Sequence, residues 1–163
     1  MPADPSVIAS LQQHSIAFEE MPCDPELADT ADFCRAYDVP LEKSANTILV
    51  ASRRPEGKMV ACLVLATTRL DVNGVVRRRM EVKKASFANA EQTMETTGMA
   101  IGGVTVFGLP PTIPVWVDRR VLECDWIIVG AGSRTAKIRL DPAQLIDRAG
   151  FEVVDDLAQP VSS

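Results

Sequence analysis

The sequence predicts an α+β fold in which helices are set among the strands of a mixed, mostly antiparallel sheet. Three observations predict it. Two apolar, β-rich runs, Asn46 to Ser52 and Met59 to Thr67, are separated only by a polar Arg-Arg-Pro-Glu-Gly-Lys turn, which is the pattern of a hairpin. Helix-cap signals fall singly between strand-like runs, without the repeated alternation of a parallel βαβ sheet. The length of 163 residues suits one domain. Such a chain buries roughly 70% of the surface its unfolded form exposes, enough for a core without metal or disulfide staples. We assign the domain to residues 1–155 and expect the polar end, 156–163, to fray.

Each element has a local cause. Asp4 and Pro5 read as an N-cap followed by proline at the first helical position, and Val7, Ile8 and Leu11 recur on one face to about His14. Ile16 to Met21 reads as a short strand. Thr30 is the candidate cap of a second helix carrying Phe33, Cys34 and Tyr37, which ends before Pro40. The near-continuous apolar runs of the hairpin imply burial on both faces, so its strands are central. Asp71 caps a third helix to about Met80. Asn89 caps a fourth that stops at Gly98, a good left-handed terminus. Residues 101–111 hold glycines and prolines around a short apolar stretch and read as an ordered loop, with room for a strand inside it. Pro114 to Asp118, Trp126 to Val129, Thr135 to Leu140 and Phe151 to Val154 read as strands. Gly130 to Ser133 is a turn, and Asp141-Pro142 opens a last helix closed by Gly150.

The bulk composition narrows the function. A net charge of −5 argues against a general nucleic-acid binder, and only a local basic patch remains as a route to phosphates. One exists: Arg69 to Lys84 carries a net +4, with Arg77, Arg78, Arg79, Lys83 and Lys84 concentrated in it. It is a candidate dock for a phosphate backbone, against the plainer reading of a solvated helix face. Cys23, Cys34, Cys62 and Cys124 have neither metal-clip spacing nor the density of a secreted scaffold, and read as reduced thiols of a cytoplasmic protein. No signal peptide or membrane span is evident. The single histidine, His14, leaves no partner for a Ser-His-Asp or zinc arrangement. The glycine turns at Gly102-Gly103 and at Gly130 to Gly132 can let a backbone approach a ligand, or can be turn geometry alone.

Four segments, in this order, resemble the YbaK family, the prolyl-tRNA synthetase-associated editing domain. They are the strand Asn46 to Val50, Leu70-Asp71-Val72 leading into the basic segment, the Gly102-Gly103-Val104-Thr105-x-Phe107-Gly108 loop, and Val129 to Arg134. Their order and spacing extend the resemblance over roughly Ser6 to Phe151. The resemblance implies a curved, mostly antiparallel mixed sheet with flanking helices and a central pocket. It implies hydrolysis of the ester joining a wrong amino acid to tRNA, and no metal or organic cofactor. With no room for a synthetase in this chain, it implies action in trans on tRNA, with an aminoacyl-tRNA synthetase as a further partner. The chain departs from the family twice. Asn46 stands where the family has a lysine, and Val106 where its glycine loop has a proline. A neutral amide makes weaker bonds to an anion than an ammonium does.

From this resemblance follow the candidate site residues. Asn46 orients the ester or the attacking water. Backbone N–H groups near Gly102, Gly103, Gly130 and Gly132 hold the developing oxyanion. Thr47 and Ser133 are additional donors and Arg134 a further phosphate or substrate contact. A tRNA hydroxyl assists proton transfer. Two other readings stand beside this one: a domain that binds tRNA or a protein partner without turnover, which Asn46 supports, and hydrolysis of another activated acyl ester.

Overall fold

In the computed structural model, which describes residues 3–99 and 102–161, the opening cap forms as its residues dictate. Asp4 Oδ1 accepts from the Ser6 N–H at 2.9 Å and from the Ser6 hydroxyl at 2.8 Å. Helix α1 then runs Pro5–Gln13 with Val7 and Leu11 fully buried, the i, i+4 stripe that seats it on the core. Strand β1 (Phe18–Pro22) follows, then helix α2 (Thr30–Ala36). Asp29, not Thr30, holds the cap position of α2, and the Thr30 hydroxyl donates instead to Asn46.

The two apolar runs form β2 (Ala45–Arg54) and β3 (Glu56–Leu65), paired antiparallel from Ala45↔Leu65 to Arg53↔Glu56. After β4 (Thr68–Leu70), Asp71 accepts from the N–H groups of Gly74 and Val75. The helix expected there is two short pieces: a π turn over Val72–Val76 and α3 over Arg77–Met80, ended by Glu81 at φ 59°. Lys83 and Lys84 therefore leave the helix, and Lys84 opens β5 (Lys84–Phe87), which pairs with β2. Helix α4 (Ala90–Thr97) starts at Asn89, which accepts from the Gln92 N–H at 2.7 Å, and ends at left-handed Gly98. Residues 102–114 contain no strand.

Strands β6 (Val115–Asp118), β7 (Ile127–Gly130), β8 (Ala136–Leu140) and β9 (Phe151–Val154) lie where expected. Asp141-Pro142 starts one 3-10 turn, Pro142–Leu145, rather than a helix. Gln144 is held by both backbone groups of Ala17 and Leu145 is buried, so long-range anchoring fixes that turn. The tail does not fray up to residue 161. It forms β10 (Ala158–Pro160), antiparallel to β4, because Leu157 and Ala158 are fully buried.

The larger sheet has the order β5-β2-β3-β6-β9; β5, β2 and β3 are antiparallel, and β3–β6 and β6–β9 are parallel. A second sheet, β1-β8-β7, is antiparallel throughout. A parallel bridge from Ser44 to Ile128 joins the two. Strand alternation sorts the core. Ala61 and Leu63 of β3 face an inner core shared with Val7, Val117, Val129 and Ile138, while Val60, Cys62 and Val64 face an outer one under Val76 and Met80. Phe33 and Cys34 of α2 cover Ile128 in a third cluster. At the end of β6, Asp118 is fully buried beside Arg120, which also bonds Asp156 and the Ala158 carbonyl and so ties the tail down.

Candidate functional site

A cleft of about 290 Å³ opens where the start of α2, the 102–104 loop and strands β2, β7 and β8 meet. Its floor follows from register. Ser44 bridges Ile128 in parallel, so two residues on Asn46 stands level with Gly130, and Gly130 pairs with Lys137 on β8. Asn46 alternates in phase with Ile48 and Val50, which pack on the outer side; Lys137 alternates against the inner-core residues Ala136, Ile138 and Leu140. Asn46, Gly130 and Lys137 therefore form one row on the outer face. Its ends are two inter-strand spacings apart, about 10 Å.

Asn46 is half-buried, and its Oδ1 accepts from the Thr30 hydroxyl at 2.6 Å. That bond fixes the amide so that its nitrogen is the group left to donate. Lys137, at the other end, is only 7% exposed. Its Nζ donates to the Ala28 carbonyl at 2.6 Å and the Gly102 carbonyl at 3.0 Å, and sits 5.5 Å from the Phe33 ring centre. Burial holds the ammonium below the ordinary lysine range, with Arg134 pushing the same way and Cys23, Asp29 and Cys34 opposing. Sequence reasoning missed Lys137. The one signal was its place on the non-core face of an alternating strand, Ala-Lys-Ile-Arg-Leu.

The glycines divide into two kinds. Gly102 and Gly130 line the cleft. A Cβ on Gly130 would lie 2.3 Å from the Val104 carbonyl oxygen, so only glycine lets the loop cross this strand. Gly103 and Gly132 instead hold the loop in place: the Gly132 N–H donates to the Gly103 carbonyl at 2.7 Å. The Gly132 N–H is thus already used, which removes it as an oxyanion donor. Thr47 also borders the cleft, but alternation turns its side chain to the inner face, where Oγ1 is buried without a hydrogen-bond partner among the described residues. Ser133 Oγ lies 3.2 Å from Thr135 Oγ1. Arg134 braces the approach to α2, donating to the Pro25 carbonyl at 3.0 Å and to Asp29 at 3.1 Å. His14 ends α1, outside the residues lining the cleft.

The basic segment flanks the same outer face, since its Val76 and Met80 cover the outer cluster. Arg78, Lys83 and Lys84 are exposed. Arg77 Nε bonds the Asn73 carbonyl at 2.9 Å. Arg79 pairs with Glu152 and lies 5.2 Å over the Trp116 ring, so it also carries packing. Cys23, Cys34 and Cys62 are buried free thiols and Cys124 is half-buried; burial pushes Cys62 up to about 12. Among the described residues no three His, Cys, Asp or Glu side chains group closely enough to hold a metal ion.

Comparison with known proteins covers most of this architecture. The family model of the aminoacyl-tRNA editing domain matches residues 24–148. The uncharacterized protein YwhH of Bacillus subtilis (strain 168) is 30% identical over 127 residues, which is 73% of this chain and 80% of that one. The crystal structure of the hypothetical protein APE2540 superposes with a TM-score of 0.84 at 22% identity, over 94% of this chain and 99% of that one. A proposed trans-editing enzyme for prolyl-tRNA synthetase superposes with a TM-score of 0.79 at 20% identity, over 97% and 99%. At these identities the superpositions show a shared fold.

Proposed function

This chain belongs to the aminoacyl-tRNA editing domain family, and from that membership we propose that it is a trans-acting deacylase that hydrolyses the ester of mischarged tRNA. The observation that carries this reading is the cleft. Its walls come from residues inside the matched span, and it offers neutral donors beside a basic flank on one face.

The ester is chemically labile, so the protein's task is to position it and to stabilise charge. Asn46, held by Thr30, donates from its amide to the ester or to the attacking water. Gly102 and Gly130 line the cleft, with the Arg134 guanidinium and the Val104 carbonyl standing where their side chains would be, and backbone donors preorganised there are each worth about 3 kcal/mol in the transition state. Gly103 and Gly132 act indirectly, by fixing the loop. A ribose hydroxyl of the tRNA relays the proton, as a cleft without histidine requires. Arg77, Arg78, Lys83 and Lys84 meet phosphates, with Arg79 adding its charge from the Glu152 pair. The substrate partner is a mischarged tRNA, delivered by an aminoacyl-tRNA synthetase, and the place of work is the cytoplasm. No helix among the described residues is long and apolar enough to cross a membrane.

The test is release of amino acid from a panel of mischarged tRNAs carrying Ala, Ser, Thr and Cys, with Asn46→Ala alongside. Turnover on one pair, reduced in the variant, supports editing and names the substrate. Absence of turnover on every pair from a folded protein that binds tRNA favours the second reading, a binding domain, for which the uncharged Asn46 is the supporting feature.

A further inference from the structure

One ammonium lines the cleft, and the roles assigned so far do not use it. Among the described lining residues only Asp29 and Lys137 carry charge. Asp29 is bonded to Arg134, and among the described residues Lys137 has no carboxylate within salt-bridge distance. Two of the three N–H bonds of Nζ are taken by the Ala28 and Gly102 carbonyls; the third has no partner among the described residues. A buried charge without a counter-charge is costly to keep, and in a low-dielectric site its pull on an anion is strong. The row on the floor gives that pull a direction. Between Asn46 and Lys137 lies Gly130, over which the Gly103 and Val104 carbonyls pass, so the amide and the ammonium stand about 10 Å apart on either side of that loop.

On the ester-hydrolysis reading, we propose that Lys137 is a catalytic residue whose ammonium meets the acyl carbonyl oxygen of the bound ester and carries the negative charge that develops there. Water's oxygen bonds to the acyl carbon, and the carbonyl π pair moves onto the oxygen beside Nζ. Collapse then breaks the bond to the ribose oxygen, which takes up the proton that water gave away. The products are the free amino acid and the tRNA hydroxyl. Lys137 stays protonated throughout.

The groups facing Nζ are Cys23 after β1, Cys34 and the Phe33 ring on α2, Asp29 ahead of α2, and Arg134 in the β7–β8 turn. Burial pushes both thiols up, so they stay neutral at pH 7. The titration that limits activity at alkaline pH is therefore that of Lys137, at a value below the ordinary lysine range: activity requires the ammonium and is lost as pH rises through that value.

The experiment compares wild type, Lys137→Met, Lys137→Arg and the double variant Asn46→Lys/Lys137→Met on the mischarged tRNA that wild type hydrolyses. It reads kcat, KM, the pH profile and the melting temperature. The expected result for Lys137→Met is a loss in kcat of about 100-fold, the size of one oxyanion contact, with KM within about threefold and no alkaline limb in its residual activity. Lys137→Arg retains part of the rate. The double variant recovers about tenfold over Lys137→Met, because it supplies charge from the other end of the row. A Lys137→Met kcat within about threefold of wild type overturns the assignment. So does a loss that neither Lys137→Arg nor the double variant relieves and that leaves the alkaline limb in place, which marks a structural lysine. Wild type inactive on every pair overturns the ester-hydrolysis reading and this assignment with it, whereas an active wild type with an unaffected Lys137→Met overturns the assignment alone.

Discussion

A single methyl at Gly130 tests whether the loop over β7 builds the cleft. In Gly130→Ala the new Cβ would stand 2.3 Å from the Val104 oxygen, 2.9 Å from the Gly103 oxygen and 3.0 Å from the Val104 carbonyl carbon. Ordinary contact begins at 3.4 Å, so the Val104 carbonyl must retreat by about 1.1 Å. All three atoms are backbone, and no side-chain rotation relieves them. The Gly132–Gly103 hydrogen bond at 2.7 Å and the Lys137–Gly102 bond at 3.0 Å resist that shift. Overpacking of this kind costs about 1–3 kcal/mol, which for a chain of this size lowers the melting temperature by about 2–12 °C. On the proposed ester-hydrolysis reading, a shift of that size passed along the loop to Gly102 also misplaces the acyl group, and misplacement on that scale costs about 100-fold in rate. Gly150→Ala is the comparison: φ is +84° with nothing within 4 Å, so it costs about 1–2 kcal/mol of backbone strain alone and spares the cleft. Thermal melts with single-turnover deacylation read both effects. A Gly130→Ala protein that melts within 1 °C of wild type and turns over at the wild-type rate would refute the account of the loop.

Four further substitutions separate the parts. Thr30→Val removes the 2.6 Å bond to Asn46; it should cost about 1 kcal/mol in stability and several-fold in kcat, measured by denaturant melts and turnover. Arg78→Ala should flatten the salt dependence of tRNA affinity by about one unit of slope without moving the melting temperature. Arg79→Ala should also lower the melting temperature, because that residue packs on Trp116 and pairs with Glu152. Burial raises the Asp118 carboxyl above its ordinary range, with Arg120 at 3.6 Å only partly drawing it back. The folded state therefore binds that proton more readily than the unfolded one. The stability it contributes is complete below the unfolded value and is lost as pH rises through the folded one. Asp118→Asn should accordingly raise the melting temperature by about 2–4 °C at pH 7, for a gain of about 1 kcal/mol. The gain should vanish as pH falls below the ordinary carboxylate range; an equal gain at pH 3 in thermal melts would contradict this account.

What the sequence disclosed was what depends on neighbours in the chain. Asp4 with Pro5, and Asn89 with Gly98, set the ends of their helices by bonds within four residues. The 46–67 hairpin follows from two apolar runs and one turn. Elements that depend on distant partners stayed hidden. Strand β10 lies in a polar stretch and is held by two buried residues and by Arg120. The 142–145 turn stops short because Gln144 is tied to Ala17. At the site, Asn46, Gly102 and Gly130 were legible from the order of segments, whereas Lys137 enters only through the Gly130 register and the Ser44–Ile128 bridge. Thr30 was legible as a helix start but not as the residue that orients Asn46.

The Ser44–Ile128 bridge has a consequence for how this protein comes apart. The row on the cleft floor takes Asn46 from one sheet and Gly130 and Lys137 from the other, so the cleft straddles a seam and exists only while the two sheets are docked. An occupant gripping both ends of the row acts as a clasp across that seam. Amide exchange at the start of β2 and along β7 should slow when the cleft is filled, while the middle of β3, enclosed by β2 and β6, scarcely responds. A molecule whose sheets have parted loses the cleft before it loses its hairpins.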